Sequence, residues 1–389
     1  MKLSTPHITD KDIQNVQKVL KSNWISTSSK WVNKFEKDIN NFVKSSYCVA
    51  LNSGTSAIHL ALKTIGVQEN DEVLVPTISF VATVNPILYL KASPIFFDVD
   101  QNNNLKINDV LKFINEETYF KNNLTFNKKS NKIIRAIIVV HMWGRACNFK
   151  DIIKTCKTKN IKIIEDAAEA LGSLVRCSDG KFKHCGTLGD IGCFSFNANK
   201  IITTGSGGAI VTNKKVYFKK AMYLANQAKD DTFNYIHNHC GYNYRMTGIN
   251  ASLGTSQLKK IKFKVAKRKK IYEIYKRIFS SEKIISINEN EKHSKNNYWM
   301  NVLNFSGANY SFINKLSKYL KKYNIESRRI WRPLHLQKYL INFQKYKLKD
   351  SKKLYSNSLC VPSDESLNQE KIKKICKRIV FFYKKFYQL

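Results

Sequence analysis

A chain of 389 residues that is 43% hydrophobic and 12% aromatic can bury a large core, which excludes wholesale disorder. The formal net charge is +37, but only 10 of the 66 basic residues are arginine, the planar donor that base and phosphate readers favour. The lysine excess therefore reads as solvated surface with no nucleic-acid partner, and no apolar run reaches the ~18–20 residues of a membrane span.

In chain order, strands are predicted at Tyr47–Leu51, Glu72–Val75, Ile95–Phe97, Ile133–Val140, Ile161–Ile164, Ile191–Phe196 and Ala209–Thr212. Amphipathic helices such as Ser56–Thr64 and Phe149–Thr158 lie between them. Apolar strands alternating with helices indicate an α/β domain with a mostly parallel central sheet covered by helices, its ligand groups gathered at the strands' carboxyl ends. From Gln257 the pattern changes to a long Lys-rich helix over Leu258–Phe279, a strand over Trp299–Asn304, a helix over Ser311–Tyr323 and a terminal helix from Leu367. This divides the chain into a large domain with an N-terminal arm, residues 1–256, and a smaller C-terminal α+β domain, residues 257–389.

Met1–His7 lacks the apolar run of a secretory leader, and the nine scattered cysteines include no C-x-x-C pair. Both point to free thiols in a reducing compartment, the cytoplasm. Cys177, His184, Cys185 and Cys193 fit no common zinc spacing, and no metal site is expected.

Three segments carry chemistry. Asn52-Ser53-Gly54-Thr55-Ser56-Ala57 follows a strand and opens a helix, where free N–H groups can hold a phosphate; a plain strand-to-helix turn uses the same residues as caps. The strand beginning at Ile161 ends in Glu165 and Asp166. A carboxylate at Asp166 either keeps a heteroaromatic nitrogen protonated or caps the next turn. Lys200 follows the strand Ile191–Phe196 and precedes the turn Gly205-Ser206-Gly207-Gly208. That makes it a candidate Schiff-base lysine, although a lysine picked at random from the 56 in this chain would be surface.

Four motifs in order carry a resemblance: Ser53-Gly54-Thr55-Ser56, Glu165-Asp166-Ala167-Ala168-Glu169-Ala170, Ser195-Phe196-Asn197-Ala198-Asn199-Lys200 and Gly241-Tyr242-Asn243-Tyr244-Arg245. The chain resembles the sugar-nucleotide aminotransferases, the DegT/StrS-like branch of the fold-type-I pyridoxal-phosphate (PLP) enzymes, from Trp24-Ile25-Ser26-Thr27 to Pro333-Leu334-His335. The resemblance implies that fold, with residues 1–256 binding PLP. It implies that Lys200 bonds covalently to PLP, that Asp166 pairs with the pyridine nitrogen, and that Glu169 lies near the 3-hydroxyl. Phe80 would stack on the ring, and Thr55, Ser56 and Ser195 would hold the phosphate. Asn243 would reach the phosphate of the neighbouring subunit, which implies a homodimer with shared sites. Ser26, Thr27, His335 and Arg328 would border the substrate.

Some positions depart from the family pattern. Ser29 stands where glycine is frequent, and Met142-Trp143-Gly144-Arg145-Ala146 lacks the common His-Pro after the glycine. Arg329 stands where proline is frequent, beside Arg328, and faces either a nucleotide diphosphate or solvent. His59 is expected to pack on a helix face. Tyr298 and Trp299 either touch a sugar or base or pack in the core, and His237 and His239 have no counterpart role in the family.

The implied reaction moves an amino group from glutamate to C4 of a nucleotide-linked 4-keto-6-deoxysugar, for surface polysaccharide such as lipopolysaccharide. The segments Gln227–Asp231, Tyr235–His237 and Ile201–Thr204 resemble the subgroup making 4-amino-4,6-dideoxy sugars. Within it UDP-2-acetamido-2,6-dideoxy-4-ketohexose is expected first, and a GDP-linked sugar, as in perosamine synthesis, second. A dehydratase on the same fold would carry histidine in place of Lys200. A basic regulatory protein without activity is at odds with the intact set of Asp166, Ser195, Lys200 and Asn243.

Overall fold

The computed structural model describes every residue except 178, 290, 291 and 389. Seven runs rich in β-branched and aromatic residues build the main sheet: Tyr47–Leu51 (β1), Glu72–Pro76 (β2), Ser93–Phe97 (β3), Ile134–Val140 (β4), Lys162–Asp166 (β5), Ile191–Ser195 (β6) and Gly208–Thr212 (β7). Their spatial order is β1-β7-β6-β5-β4-β2-β3, and the two-residue strand Lys345–Tyr346 extends the edge beyond β3. Only β7 runs against the others. Register pairs Asp166 with Val140 on β4 and with Cys193 on β6, so the carboxyl ends of three neighbouring strands finish together.

Helices cover both faces of this sheet, which is why its strands are buried along nearly their whole length. Asp10–Lys21 and Lys30–Val43 pack with Gly248–Leu258. A Cβ on Gly254 would fall 2.6 Å from the Phe35 ring, so only glycine admits that approach. The long helix expected over Leu258–Phe279 is found over Ile261–Phe279, and a separate helix, Gly248–Leu258, precedes it. Their partners differ: Lys260, at the break, reaches Asp12 on the first helix at 3.3 Å. Lys264 and Arg268, one and two turns on, both reach Glu365, at 3.2 and 2.9 Å.

The C-terminal part is built on four antiparallel strands in the order Ile285–Ile287, Asn301–Phe305, Ser358–Val361, Arg328–Arg329. Helices Ile261–Phe279, Tyr310–Lys322 and Gln369–Tyr387 bury their apolar stripes against it, around Tyr275, Phe305, Phe312, Leu316 and Ile379. Trp299, Met300, Ile330 and Leu334 pack instead into the core of the large sheet. Among the described residues no helix is long and apolar enough to cross a membrane.

Candidate active site

A cavity of about 390 Å³ lies at the carboxyl ends of the central strands. One wall is the start of helix Gly54–Ile65 with the ends of β5 and β6; the other is Trp299, Arg328 and Trp331 from the C-terminal part. Such a crevice outside the strand ends is where an open α/β sheet collects ligands.

The helix start is built for close approach. Ser53 caps it, its hydroxyl accepting the Ser56 N–H at 3.0 Å. Ser56 Oγ is spent locally, 2.7 Å from Asn52 Oδ1 and 2.8 Å from Ser53 Oγ, and Ser56 does not line the cavity. Thr55 and Ser195 do. A Cβ on Gly54 would sit 2.8 Å from Ser195 Cβ, so glycine lets the first helical turn press against the end of β6. The N–H groups of Gly54 and Thr55 belong to the first turn, which has no acceptors within its own helix, and carry the positive end of the helix dipole.

Asp166 ends β5 with its side chain in the cavity and only 5% of its surface exposed. Oδ2 accepts the Thr83 hydroxyl at 2.6 Å and Oδ1 the Ala168 N–H at 3.1 Å. Burial raises this carboxyl's pKa, and the Thr83 and Ala168 hydrogen bonds and the Lys200 charge only partly oppose the shift. A cationic N–H opposite Asp166 would supply the missing countercharge.

Lys200 sits in the turn after β6, its backbone N–H bonded to Asn197 O at 3.0 Å. Its ammonium lies 3.3 Å from Glu169 Oε1 and 4.2 Å from the centre of the Trp299 ring. Glu169 is itself fixed, since Oε2 accepts the Trp143 N–H at 2.8 Å. Trp299 is anchored through its indole N–H to Asn199 O at 2.7 Å, and its carbonyl accepts from Arg268 at 2.7 Å. Trp299 is thus both fully buried and a wall of the cavity.

Two indoles, Trp299 and Trp331, face the cavity, and a third packs against both. Trp143 stacks on Trp299 at 6.2 Å and on Trp331 at 5.4 Å, centre to centre. Phe80, 51% exposed along the cavity, meets Trp331 at 5.1 Å. Arg328 lies over Trp331 as well, its guanidinium carbon 4.1 Å from the ring centre. Thr83, Trp143 and Trp331 escape sequence reading; only the departure noted at Met142–Ala146 touches one of them.

The structure therefore gathers Thr55, Phe80, Asp166, Glu169, Ser195, Lys200 and Arg328 around one cavity. Other candidates lie elsewhere. His335 is buried and does not line the cavity; its Nδ1 lies 2.5 Å from the Thr77 hydroxyl, and burial pulls its pKa down to about 4, so it is neutral. Asn243 is exposed, its carbonyl accepting from Asn52 Nδ2 at 3.3 Å. Ser26 is exposed with its hydroxyl 2.9 Å from Ser28 Oγ, and neither it nor Thr27 lines the cavity. Ser29 is buried, 2.5 Å from where a Cβ on Gly248 would stand.

Arg329 is half-buried and does not line the cavity. It bonds Asn314 Oδ1 at 3.1 Å, Tyr355 O at 2.9 Å and Tyr310 O, and it stacks 3.7 Å above Tyr310. His59 packs within a cage of Tyr89, Tyr242 and Tyr244, its Nδ1 3.0 Å from the Tyr244 hydroxyl. Among the described residues no group of three His, Cys, Asp or Glu could hold a metal ion.

The donor set of the cavity fits PLP: helix-start N–H groups with two hydroxyls for a phosphate, an aromatic face, a buried carboxylate and one amine. The profile of the DegT/DnrJ/EryC1/StrS aminotransferase family matches residues 6–380. The chain is similar to GDP-perosamine synthase of Escherichia coli O157:H7, 33% identical over 97% of both chains. It is also similar to UDP-4-amino-4,6-dideoxy-N-acetyl-beta-L-altrosamine transaminase of Campylobacter jejuni, 31% identical over 76% of this chain and 74% of the other. Among solved structures it superposes on the PLP-form of a Streptococcus pneumoniae protein with a TM-score of 0.88, at 23% identity over 99% of both chains.

Proposed function

This chain belongs to the DegT/DnrJ/EryC1/StrS aminotransferase family, and we propose that it transfers an amino group from glutamate to C4 of a nucleotide-linked 4-keto-6-deoxysugar, with PLP as cofactor. The observation that carries this reading is the convergence of Lys200, Asp166, Phe80 and the Gly54–Thr55 helix start on one cavity. Bound PLP supplies an electron sink for the substrate carbon.

The chain's own residues do the rest. The Gly54 and Thr55 N–H groups and the Thr55 and Ser195 hydroxyls hold a phosphate. Asp166 would keep the ring nitrogen protonated through its buried carboxylate. Phe80 offers its face to the ring, and the indole wall excludes water. Lys200, steered by Glu169 and Trp299, would bond to the cofactor and would hold or give up a proton at Nζ. In this reading residues 1–256 form the cofactor domain and 257–389 the smaller one. Asn243 serves the partner subunit's site in a cytoplasmic homodimer, and the product feeds surface glycan synthesis.

Sequence alone ranks a UDP-linked sugar first. The fuller span of the GDP-perosamine synthase relative, 97% of the chain against 76% for the UDP-sugar transaminase, supports a GDP-linked ketosugar ahead of it. A panel of GDP-, UDP- and dTDP-linked 4-keto-6-deoxysugars with glutamate, read by mass spectrometry, tests both levels. Amino-sugar product from the GDP substrate is expected. Product from the UDP substrate alone would restore the other ranking, and product from none would reject the activity.

A further inference from the structure

We propose that Thr83, backed by Ser79, is a positioning residue that keeps the Asp166 carboxylate ionised and aimed at the cofactor's ring nitrogen. The inference rests on the aminotransferase reading above and names what lets Asp166 do its part.

Thr83 ends the short turn Val81–Thr83 that follows β2, and Ser79 precedes that turn. Both are buried and both line the cavity. Their hydroxyls are 2.6 Å apart, and Thr83 Oγ1 lies 2.6 Å from Asp166 Oδ2. A hydroxyl has one proton to give. When Thr83 gives it to an ionised Asp166, it can only accept from Ser79. The chain then runs one way, from Ser79 through Thr83 to the carboxylate. A donor that is itself accepting is polarised and holds a charge more strongly, so the chain favours the charged form of Asp166.

That support matters because Asp166 has little else. Glu165, its neighbour on β5, accepts from the N–H groups of Gly186, Leu188 and Gly189 and from His141. Among the described residues the Asp166 carboxylate accepts from two groups, Thr83 and the Ala168 N–H. Burial works against its charge. Lys200 after β6 and His141 after β4 act on it only through space, their side chains being bonded to Glu169 and Glu165. Cys193, opposite it on β6, stays neutral because burial raises its thiol. Without the Thr83 hydroxyl, a buried carboxylate would keep one hydrogen bond, and its charge would become costlier to hold.

The same turn carries Phe80, whose carbonyl accepts the Thr83 N–H at 3.0 Å. The aromatic proposed to face the ring and the hydroxyl that holds Asp166 are thereby fixed to each other.

The test uses the PLP-loaded protein with the ring nitrogen isotope-labelled. NMR near neutral pH reads the protonation of that nitrogen, and a single-turnover experiment with glutamate alone reads the rate. Thr83→Val keeps the shape without the hydroxyl. It should load PLP, move the ring-nitrogen signal towards the unprotonated position, and slow the glutamate step about tenfold or more, the scale of losing a hydrogen bond to a charged group. Thr83→Ser restores the hydroxyl and should return both readouts to the parent's values. Ser79→Ala should move both in the same direction by less, and it carries the test if Thr83→Val does not fold. An unmoved ring-nitrogen signal in the loaded valine variant, or in Ser79→Ala where that variant carries the test, would overturn the proposal. So would a serine variant that behaves like the valine one. A parent with no PLP absorbance band, or a loaded parent inert to glutamate, would reject the aminotransferase reading and this proposal with it, a result distinct from an unmoved signal beside a working parent.

Discussion

The ammonium of Lys200 is held 3.3 Å from Glu169 Oε1, with 13% and 7% of the two side chains exposed. Glu169 comes from the turn after β5 and Lys200 from the turn after β6, so the pair ties together the ends of two adjacent strands. With the Trp299 ring 4.2 Å away, the lysine is confined to the cavity instead of sweeping solvent. Among the described residues no other lysine lines this cavity, and that placement underlies the chemistry proposed for Lys200.

Asp166 is expected to act on rate more than on binding. Asp166→Ala should still load PLP, because phosphate and ring contacts come from other residues, but turnover should fall on the order of 10²-fold or more, as for other preorganised electrostatic groups. Absorbance would report loading and steady-state kinetics the rate. A rate within threefold of the parent would remove Asp166 from the mechanism.

Asn243 should complete the site of the partner subunit. Lys200→Ala and Asn243→Ala homodimers should each be inactive. Heterodimers formed by subunit exchange, verified by mass tagging, carry both lesions in one site and neither in the other. Activity should return in proportion to heterodimer formed; verified heterodimers with none would mean that each site is built from one chain.

The N-terminal arm is tied to the C-terminal part by a carboxylate. Burial alone would raise Asp364, but hydrogen bonds from Ser366 and Thr5, including the Thr5 N–H at 2.7 Å, outweigh it and hold the pKa down to about 2 against an ordinary 3.8. A depressed carboxyl contributes stability that is present above its ordinary pKa and lost as pH falls towards its folded value. Asp364→Asn should therefore lower the urea midpoint near neutrality and narrow the gap to the parent as pH falls from 3.8 to about 2. A constant gap across that window would show that the carboxylate contributes nothing through its charge.

The lysine-rich surface should not make this a nucleic-acid binder. Weak, sequence-independent DNA binding at low salt follows from counterion release. It should fade at ~150 mM salt, where charges are screened over ~8 Å. Anisotropy titrations at both salts decide it, and sequence-selective submicromolar binding at the higher salt would contradict the enzyme-only account.

The sheet was legible wherever β-branched runs are long enough to be buried on both faces, as in β4 to β7. Strands of two residues, Arg328–Arg329 and Lys345–Tyr346, carry no such pattern, because partners distant in sequence define them. Helices Asp10–Lys21 and Lys30–Val43 went unnamed: their Lys, Asn and Asp positions hide stripes that become apolar faces only against Gly248–Leu258. Motif order brought out Lys200, Asp166 and Ser195. It gave no sign that Ser56 is bonded within its own helix start, that His335 is turned to Thr77, or that Arg329 is held by Tyr310 and Tyr355. Those outcomes depend on hydrogen-bond partners and packing neighbours that spacing does not encode.

The central claim is that one lysine among 56 carries the cofactor. Borohydride reduction of the PLP-loaded protein, followed by proteolysis and mass spectrometry, locates the bond directly. The cofactor should be found on the peptide containing Lys200 and be lost in Lys200→Ala while the fold persists by circular dichroism. Cofactor fixed to a different lysine, or none fixed at all, would contradict the account.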